Sequence, residues 1–472
     1  MKNKAEEFVI GLEIHLALNT KSKLFCGCST NISGVEPNSL CCPTCLGLPG
    51  SKPRVNKRAI DFGIMVAKAL NCEINPRMFF SRKSYFYPDM PKNFQISQYE
   101  LPLAKGGYLK ISEKKIGIRR IQIEEDPGRL IHVGGDITSA EYVLVDYNRS
   151  GIPLLEIVTE PDFTSTGEVK EFLSKLSMIL QYLGAYDPKK EASMRIDANI
   201  SMGGGRVEVK NITGFKAVES ALSYEIIRQR NIMRRGGKVV RETRHFDPVS
   251  NTTRSLRAKE MEEDYGFILD TDLAEVAIDE KWIKDLENKI PELPDERVRR
   301  FVEEYKISER NAKVIVYTDK AFADFFEKCC EIYDKPTQVA NWMVTDLLKS
   351  LNYNKISIDE SEVEPEGFVE ILKMIDEGKI SGRIGKELVK RYVASGKNPR
   401  EIVEEEDLTV LRGREELEEV VKKVLKENKN AVEDYRKGNK KAIEFLIGKA
   451  LAKTGGRADP KLLREILLEF LK

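Results

Sequence analysis

The first clear pattern along the chain is an alternation of apolar and polar residues in the segment FVIGLEIHLAL, residues 8–18. In a strand, this alternation places Glu13 and His15 on one face and Leu12, Ile14 and Leu16 on the other. One face can therefore pack in a core while the other carries chemistry. An ordinary edge strand with a solvated histidine explains the same pattern, and the segment alone leaves both interpretations open.

Further elements follow from periodicity and from capping residues. Apolar residues at helical spacing predict helices over residues 57–70 and over VKEFLSKLSMILQYLG, where Ser165 and Glu168 form a capping box and Gly184 ends the helix. The segments MRIDANIS and RVEVKNI flank a glycine-rich turn and predict a hairpin. Its polar residues place charges of both signs on one face of the hairpin. This pattern fits a functional site and a solvated hairpin with cross-strand salt bridges equally well.

The strand KIGIRRIQIEEDPGRL changes the phase of its apolar residues. This shift predicts a bulge near Arg119 and Arg120, which we expect to bring Glu124 and Glu125 toward a common site. Paired carboxylates suit Mg²⁺, although acidic residues are also common at exposed strand ends.

Beyond Pro291 and Pro294, the periodicity is helical. We therefore expect an α+β fold, with a mixed or antiparallel sheet in the first part of the chain and helices in the rest. The expected domain boundaries are residues 1–290, 295–408 and 412–472.

Composition narrows the class of protein. The 472 residues include 77 basic and 76 acidic ones, a balance that argues against wholesale coating of nucleic acid but permits local basic faces. The chain has no apolar run of about 18 residues, and its start, MKNKAEE, is too charged for a signal peptide. We therefore expect a soluble, cytoplasmic protein without a membrane partner.

Four of the eight cysteines have the spacing of metal ligands. Cys26 and Cys28 form a CxC pair, and Cys42 and Cys45 form a CPxC pair after an intervening loop. Without an export signal, disulfides are unexpected, and four thiolates can close tetrahedrally on Zn²⁺. The sequence therefore predicts a structural zinc site.

Between residues 79 and 94, aromatic and basic residues alternate. This composition is typical of a surface on which bases stack, and equally of a packed aromatic loop.

Long and uncommon strings of the chain resemble the B subunit of the tRNA-dependent amidotransferases, the GatB family. They are GLEIHLAL, the cysteine pairs followed by LGLPG, SYFYPDMPKNFQISQ, IQIEEDPGRL, DYNRSGIPLLEIVTEPDF, SMRIDANIS with VEVKN, and ETRHFD with TRSLR. The resemblance implies that ATP phosphorylates the side-chain carboxylate of Glu mischarged on a Gln tRNA, or of Asp on an Asn tRNA. Ammonia then displaces the phosphate to leave the amide.

The resemblance further implies that the first domain is catalytic, with a cradle-like sheet and a zinc knuckle, and that it is followed by an all-α helical domain and a small all-α tail domain.

The resemblance also implies partners and site residues. The partners are a glutaminase of the amidase type (the A subunit), a small third protein (the C subunit) and the mischarged tRNA. The implied catalytic residues are Glu13, His15, Glu124, Glu125, Arg195, Asp197, Glu208 and Lys210. The implied ATP contacts are Lys83, Tyr85, Tyr87, Lys92 and Ser193. The implied Mg²⁺ ligands are His15, Glu125 and Glu208.

Two segments depart from the family pattern. Lys190, Glu191, Ala192 and Ser193 stand where relatives carry EEGS, and residues 264–273, DYGFILDTDL, stand where relatives read DYRYFPEPDL. These changes keep two alternatives open, a non-catalytic subunit for tRNA binding and assembly, and an ATP-dependent ligase acting on a small carboxylate.

The last segment is rich in lysine. Lys437, Lys440, Lys441, Lys449 and Lys453 are expected near one helical face, together with the nearby Arg457. A solvated helix surface would explain them, but the resemblance implies a tail that docks on the body of the tRNA.

Overall fold

The computed structural model describes residues 7–112, 114–134, 140–190, 193–203, 205–258, 266–410 and 414–471. Two compact units divide the chain, one covering residues 1–293 and the other residues 294–472. Of the two departing segments, Glu191, Ala192, Asp264 and Tyr265 lie outside the described residues.

The first unit is built on a ten-stranded sheet, in the order β15-β14-β13-β12-β1-β11-β8-β6-β2 with β7 paired to β8. Its strands pair antiparallel except β13 and β14, which run parallel, so the predicted mixed sheet is confirmed. The strands of this unit are β1 (Phe8–Ala17), β2 (Glu73–Ile74), β3 (Arg77–Met78), β4 (Ser81–Ser84), β5 (Phe94–Ser97), β6 (Ala104–Lys105), β7 (Tyr108–Lys110), β8 (Lys115–Glu125), β9 (Arg129–Val133), β10 (Tyr142–Asp146), β11 (Pro153–Thr159), β12 (Met194–Met202), β13 (Gly205–Ile212), β14 (Glu242–Asp247), β15 (Thr252–Ala258), β16 (Gly266–Leu269) and β17 (Val276–Ala277).

Three long helices supply apolar side chains to the core of this unit. The core also takes the inward residues of β1, β11, β12 and β8. The helices of the unit are α1 (Pro43–Leu46), α2 (Lys57–Ala69), α3 (Thr166–Tyr182), α4 (Phe215–Arg234) and α5 (Glu280–Glu287). As predicted, the Ser165 side chain caps α3 by accepting a hydrogen bond from the Glu168 N–H.

β1 occupies the middle of the sheet, between β11 and β12. Leu12, Ile14 and Leu16 are at most 1% exposed, so the predicted apolar face of this strand is confirmed. Because side chains alternate along a strand, Glu13 and His15 must lie on the other side of the sheet. The sheet therefore has one face buried in the core and one face free to carry polar groups.

The predicted bulge in β8 is also confirmed. Val158 pairs with Arg120 and Thr159 pairs with Ile118, so Arg119 is the extra residue. From Ile121 onward the pairing with β11 is regular. The expectation that the bulge brings Glu124 and Glu125 to a common site is therefore wrong, because regular alternation sends these neighbours to opposite faces.

The second unit is helical over its described residues, as predicted. Its helices are α6 (Pro294–Glu303), α7 (Glu309–Thr318), α8 (Lys320–Ile332), α9 (Pro336–Trp342), α10 (Leu348–Asn354), α11 (Pro365–Asp376), α12 (Gly382–Ser395), α13 (Pro399–Glu405), α14 (Arg414–Glu427), α15 (Lys429–Arg436), α16 (Ala442–Lys453) and α17 (Pro460–Leu471), with a π-helical turn at Met343–Leu347 and a 3₁₀ turn at Ile358–Glu360.

Residues from α14 to α17 share a separate hydrophobic core. Lys437 ends α15 and Lys441 precedes α16, so the lysines of this segment belong to two helices and the turn between them. The expectation of one common helical face is therefore wrong.

No helix in the described part of the chain has both the length and the apolar character needed to span a bilayer.

Candidate active site

The polar face of the central sheet is organised around β1. Glu13 lies opposite Asp197 of β12, and His15 lies between Arg195 of β12 and Glu156 of β11. Cross-strand partners point to the same face, so this register gathers five ionisable side chains side by side. The sheet pairing thus brings together residues that are more than 180 positions apart in sequence, such as Glu13 and Asp197.

The first acidic group consists of His15, Glu124 and Glu156. The Nε2 atom of His15 lies 3.7 Å from Oε1 of Glu124 and 3.9 Å from Oε2 of Glu156. Gln122 donates to Glu156 Oε2 at 2.7 Å, and Ser97 donates to Glu124 Oε2 at 3.1 Å. The Gln122 Oε1 atom is buried without a hydrogen-bond partner. An acceptor left unpaired beside two carboxylates suits a site for a cation and its water ligands.

The second acidic group consists of Glu13, Asp197 and Glu208, whose carboxylate oxygens lie within 4.8 Å of one another. Lys210 borders this group, with its Nζ atom 3.8 Å from Asp197 Oδ2 and 3.7 Å from Glu208 Oε1. Asn199 donates to Glu13 Oε1 at 3.0 Å. The hairpin of β12 and β13 therefore places its charges on the site face, as one of the two interpretations of its sequence expected.

Crowding of buried negative charge shifts the ionisation of both groups. Burial first, and then the charge of Glu156, raise the pKa of Glu124 to about 7. Burial and the carboxylates of Glu156 and Glu208 raise the pKa of Glu13. Burial opposes the charged form of His15, but Glu156 and Glu124 outweigh it and leave the pKa of His15 raised. Burial is thus the largest cause of both carboxylate shifts, and neighbouring negative charge adds to each of them. A divalent cation would relieve that second, electrostatic part.

Glu125 lies on the opposite face of β8, apart from both acidic groups. Its carboxylate accepts from Lys92 Nζ at 2.5 and 2.6 Å and from the Ile96 N–H at 2.8 Å. Both charged side chains are buried. The structure therefore does not bring Glu125 together with His15 and Glu208, the other two Mg²⁺ ligands that the resemblance implies.

Arg195 is held by a residue that the sequence analysis did not select. Its Nη2 atom lies 2.5 Å from Oδ1 of Asp126, and Arg149 approaches the same carboxylate at 3.6 Å. The two arginines thus share a buried counter-ion at the end of β8. This contact fixes the guanidinium beside His15.

The residues predicted to contact ATP are dispersed. Lys83 lies on β4, in the three-stranded sheet β16-β4-β5 rather than in the central sheet, and its charge favours the ionised form of Glu124. Lys92 is paired with Glu125, and the Tyr85 hydroxyl contacts Met90 Sδ at 3.3 Å. Tyr87 is 48% exposed, and Ser193 is buried.

A cleft of about 190 Å³ opens beside Glu13 on the polar face. Its lining includes Gly11, Asn199 and two arginines, Arg119 at the β8 bulge and Arg206 on β13. A Cβ atom at Gly11 would lie 3.5 Å from Pro161 Cα, so a side chain there would occupy the floor of the cleft. Cations beside an acidic group are the arrangement expected around bound phosphates.

The four predicted zinc ligands form one cluster. The Sγ atoms of Cys26, Cys28, Cys42 and Cys45 all lie within 4.8 Å of one another. The side chain of Cys41 instead contacts Asn148 Oδ1 at 3.9 Å, which supports the choice of Cys42. The Cys26 side chain, the Cys42 N–H and the nearby Lys23 lower the pKa of Cys45 to about 4, against the effect of burial. Four sulfur atoms at this separation can hold a metal ion and are compatible with zinc.

Glu156 is the main site residue that sequence reasoning missed. It is the single charged residue in the strand PLLEIVT, and every residue of that strand is buried. An isolated acid in an otherwise apolar buried strand was the available signal.

Comparison with known proteins identifies the two parts of the chain. Residues 8–284 match the family described as the GatB/GatE catalytic domain, and residues 324–471 match the family described as the GatB domain. The chain is 45% identical to the B subunit of the aspartyl/glutamyl-tRNA(Asn/Gln) amidotransferase of Carboxydothermus hydrogenoformans, with 98% of both chains covered. It is 44% identical to the protein of the same name from Thermotoga maritima, again over 98% of both chains. The corresponding protein of Caldanaerobacter subterraneus subsp. tengcongensis is 44% identical over 98% of this chain and 99% of its own length.

Proposed function

The chain belongs to the GatB/GatE family, and we propose that its sheet face activates the side-chain carboxylate of glutamate or aspartate carried by a mischarged tRNA. In this reaction, a carboxylate oxygen attacks the γ-phosphorus of ATP and ADP leaves. Ammonia then attacks the acyl carbon, and inorganic phosphate departs with the former carboxylate oxygen. The observation that carries the proposal is the pair of acidic groups on one face of the central sheet.

The donor set fits Mg²⁺ at both groups. His15, Glu124 and Glu156 would hold one ion, and the second acidic group would hold another. Carboxylate oxygens are the ligands that a hard cation prefers, and the unpaired Gln122 Oε1 offers a further acceptor for its water. Bound there, the metal would neutralise charge on the phosphate oxygens of ATP.

The chain's own cations complete the site. Lys210 lies between Asp197 and Glu208, where its ammonium can offset charge that develops on a transferring phosphoryl group. Arg195, fixed by Asp126, presents further positive charge to the same face, and the charge of Lys83 favours the ionised form of Glu124. The substrate carboxylate is ionised at neutral pH, so the reaction needs no strong general base.

The cleft beside Glu13 is a candidate binding site for the phosphates of the nucleotide. Arg119 and Arg206 line it, and Asn199 connects it to the second acidic group through its hydrogen bond to Glu13. Because Gly11 has no side chain, the floor of this cleft stays open for a ligand. Contacts of ATP with Lys83, Tyr85, Tyr87, Lys92 and Ser193 stay a prediction.

We further propose that the cysteine cluster holds a structural Zn²⁺. Four protein thiolates leave no open position for a substrate, so the metal would stabilise the knuckle rather than take part in turnover.

The relatives are named as the B subunit of enzymes that act on tRNA, so this chain would work in an assembly. We propose that a glutaminase subunit supplies the ammonia, that a small third protein completes the complex, and that the complex acts in the cytoplasm. The tail helices α14–α17 would dock on the body of the tRNA, with Lys440, Lys441 and Lys449 among their exposed cations.

The proposal is tested by ATP hydrolysis with and without mischarged tRNA. We expect Glu156→Ala and Lys210→Ala to lower the tRNA-dependent rate by roughly a hundredfold, because each removes charge at the reacting phosphate or its metal. Glu73→Ala changes an exposed acid of β2 in the same sheet and should leave the rate intact. Circular dichroism and zinc content should match the unmodified protein in all three variants.

Two results would favour the alternatives. Unchanged rates in Glu156→Ala and Lys210→Ala would indicate a non-catalytic assembly subunit. Rapid ATP turnover and amide formation with a small carboxylate, independent of tRNA, would indicate a simple amide ligase.

A further inference from the structure

Among the described residues of the first unit, the largest charged side chain that is completely buried is Lys23, which has no exposed surface. Its Nζ atom donates to the carbonyl oxygens of Leu40 at 2.9 Å and Tyr147 at 3.3 Å. Its remaining contact is the Sγ atom of Cys45, at 3.8 Å. Within the described residues, Lys23 is thus the one charged side chain that forms a hydrogen bond to a sulfur atom of the four-cysteine cluster.

Lys23 has no carboxylate partner among the described residues, since its three contacts are two carbonyls and a sulfur. Glu125 lines the same cavity of about 250 Å³, but its oxygens are taken by Lys92 and the Ile96 N–H. Neutral carbonyls satisfy hydrogen bonds without balancing charge. A fully buried ammonium is costly unless negative charge lies next to it.

The cysteine cluster has the opposite requirement. A Zn²⁺ ion with four thiolates leaves two negative charges on the site. Cys45 is the buried member of the four, at 5% exposure, and it also accepts a hydrogen bond from the Cys42 N–H at 3.1 Å. Water therefore cannot balance the charge of this sulfur as it can at the more exposed cysteines.

We propose that Lys23 is the buried counter-cation of the four-cysteine zinc site, donating an N–H to Cys45 and balancing part of the charge of the zinc thiolate cluster. The inference rests on the proposed zinc site and is independent of the amidotransferase chemistry. Partners of metal ligands in this position set metal affinity, and their loss costs about 10–100-fold. Lys23 is therefore a positioning residue for the knuckle, with zinc affinity as its measurable effect.

The test is zinc affinity of the full-length protein, measured by competition with a chromogenic chelator of known affinity. We expect Lys23→Met and Lys23→Gln to weaken zinc binding at least tenfold and to speed zinc release. Lys23→Gln keeps a side-chain donor for the Leu40 and Tyr147 carbonyls, so it separates the charge from the hydrogen bonds. Lys21→Met removes an exposed cation two residues away and should bind zinc like the unmodified protein.

A second control separates charge from loop anchoring. Asn148 ties the same loop with neutral hydrogen bonds, accepting from the Leu40 N–H and donating to the Glu36 carbonyl, each at 2.7 Å. Asn148→Ala should therefore weaken zinc binding less than either Lys23 variant. An equal loss in Asn148→Ala, or full affinity in the Lys23 variants, would overturn the proposal.

The remaining outcomes are also decisive. Failure of both Lys23 variants to fold in excess zinc would overturn the proposal, because it would make Lys23 a determinant of the core rather than of the metal site. Absence of zinc from the unmodified protein would instead refute the zinc site itself, on which the inference depends. That result would leave the acidic groups and their chemistry untouched.

Discussion

Removing the charge of Glu156 should stabilise the magnesium-free protein while it lowers the activity about a hundredfold. The Glu156 carboxylate is almost fully buried, lies 3.9 Å from His15 Nε2, and accepts a hydrogen bond from Gln122 at 2.7 Å. Glutamine has the same shape and can still accept from Gln122. The substitution Glu156→Gln therefore removes one negative charge and little else.

The size of the effect follows from the geometry of the first acidic group. The ligand atoms of His15, Glu124 and Glu156 lie within 4.8 Å of one another. Two like charges at that separation repel by about 3 kcal/mol at an effective dielectric constant of about 20. The nearby His15 and the Arg120 guanidinium, 4.0 Å from Glu156, offset part of this repulsion, so the net stabilisation is smaller than the repulsion itself.

The sign of the pH dependence follows from the pKa of Glu124, which burial and Glu156 raise to about 7 from 4.5. A raised pKa in the folded state means that stability present below pH 4.5 is lost as the pH rises toward 7. The unmodified protein therefore carries the full cost of the two buried carboxylates at pH 8. The Glu156→Gln variant avoids the part of that cost that comes from the charge of Glu156, while the cost of burying Glu124 remains.

The assay is thermal unfolding at pH 8 in magnesium-free buffer without a chelator, so that a metal on the cysteines is kept. We expect the melting temperature of Glu156→Gln to rise by a few degrees. In magnesium buffer, its tRNA-dependent ATP hydrolysis should fall about a hundredfold. Glu73→Gln, an exposed control on the same sheet, should change neither. A lower melting temperature, or full ATP hydrolysis, would refute the reasoning.

Three further predictions concern the metals and the tail. The Cys42→Ser, Cys45→Ser double variant should lose its zinc by elemental analysis and melt at a lower temperature; a zinc-free unmodified protein or an unchanged melting temperature would contradict this. Magnesium binding, followed as the Mg²⁺-dependent rise in melting temperature, should strengthen about tenfold between pH 6 and pH 8, because Glu124 must lose its proton; a pH-independent affinity would contradict this. Truncation after Val410 should raise the KM for charged tRNA and flatten its salt dependence while ATP binding persists; an unchanged KM and salt slope would leave the tail lysines as ordinary surface.

The fold could be predicted where local pattern decides it. The alternation in β1 identified a strand with one packed and one polar face, and the capping box located the start of α3. The phase shift in β8 located the bulge at Arg119, because a bulge changes the alternation within a single strand. Each of these features is determined by residues that are neighbours in the sequence, so the pattern of apolar and polar residues predicts it directly.

Local sequence pattern could not predict which acidic residues lie together. This grouping depends on which strands lie side by side, and β1 pairs with strands more than 100 residues away. Adjacent positions in the sequence suggested Glu124 with Glu125, whereas the fold places Glu124 near His15 and Glu156 and turns Glu125 toward Lys92. Lys23 was missed for a related reason, because its burial becomes visible only when the loops carrying Leu40 and Tyr147 close over it.

The central claim is that ATP activates the carboxylate of an amino acid attached to tRNA. The most direct test uses Glu-tRNA labelled with ¹⁸O in the side-chain carboxylate, incubated with the assembled enzyme, ATP, Mg²⁺ and ammonium. If the carboxylate oxygen attacks the γ-phosphorus, each amide formed must release one phosphate that carries one ¹⁸O atom. We expect this one-to-one transfer, and its loss together with amide formation in Glu156→Ala. Amide formation with unlabelled phosphate would contradict the account.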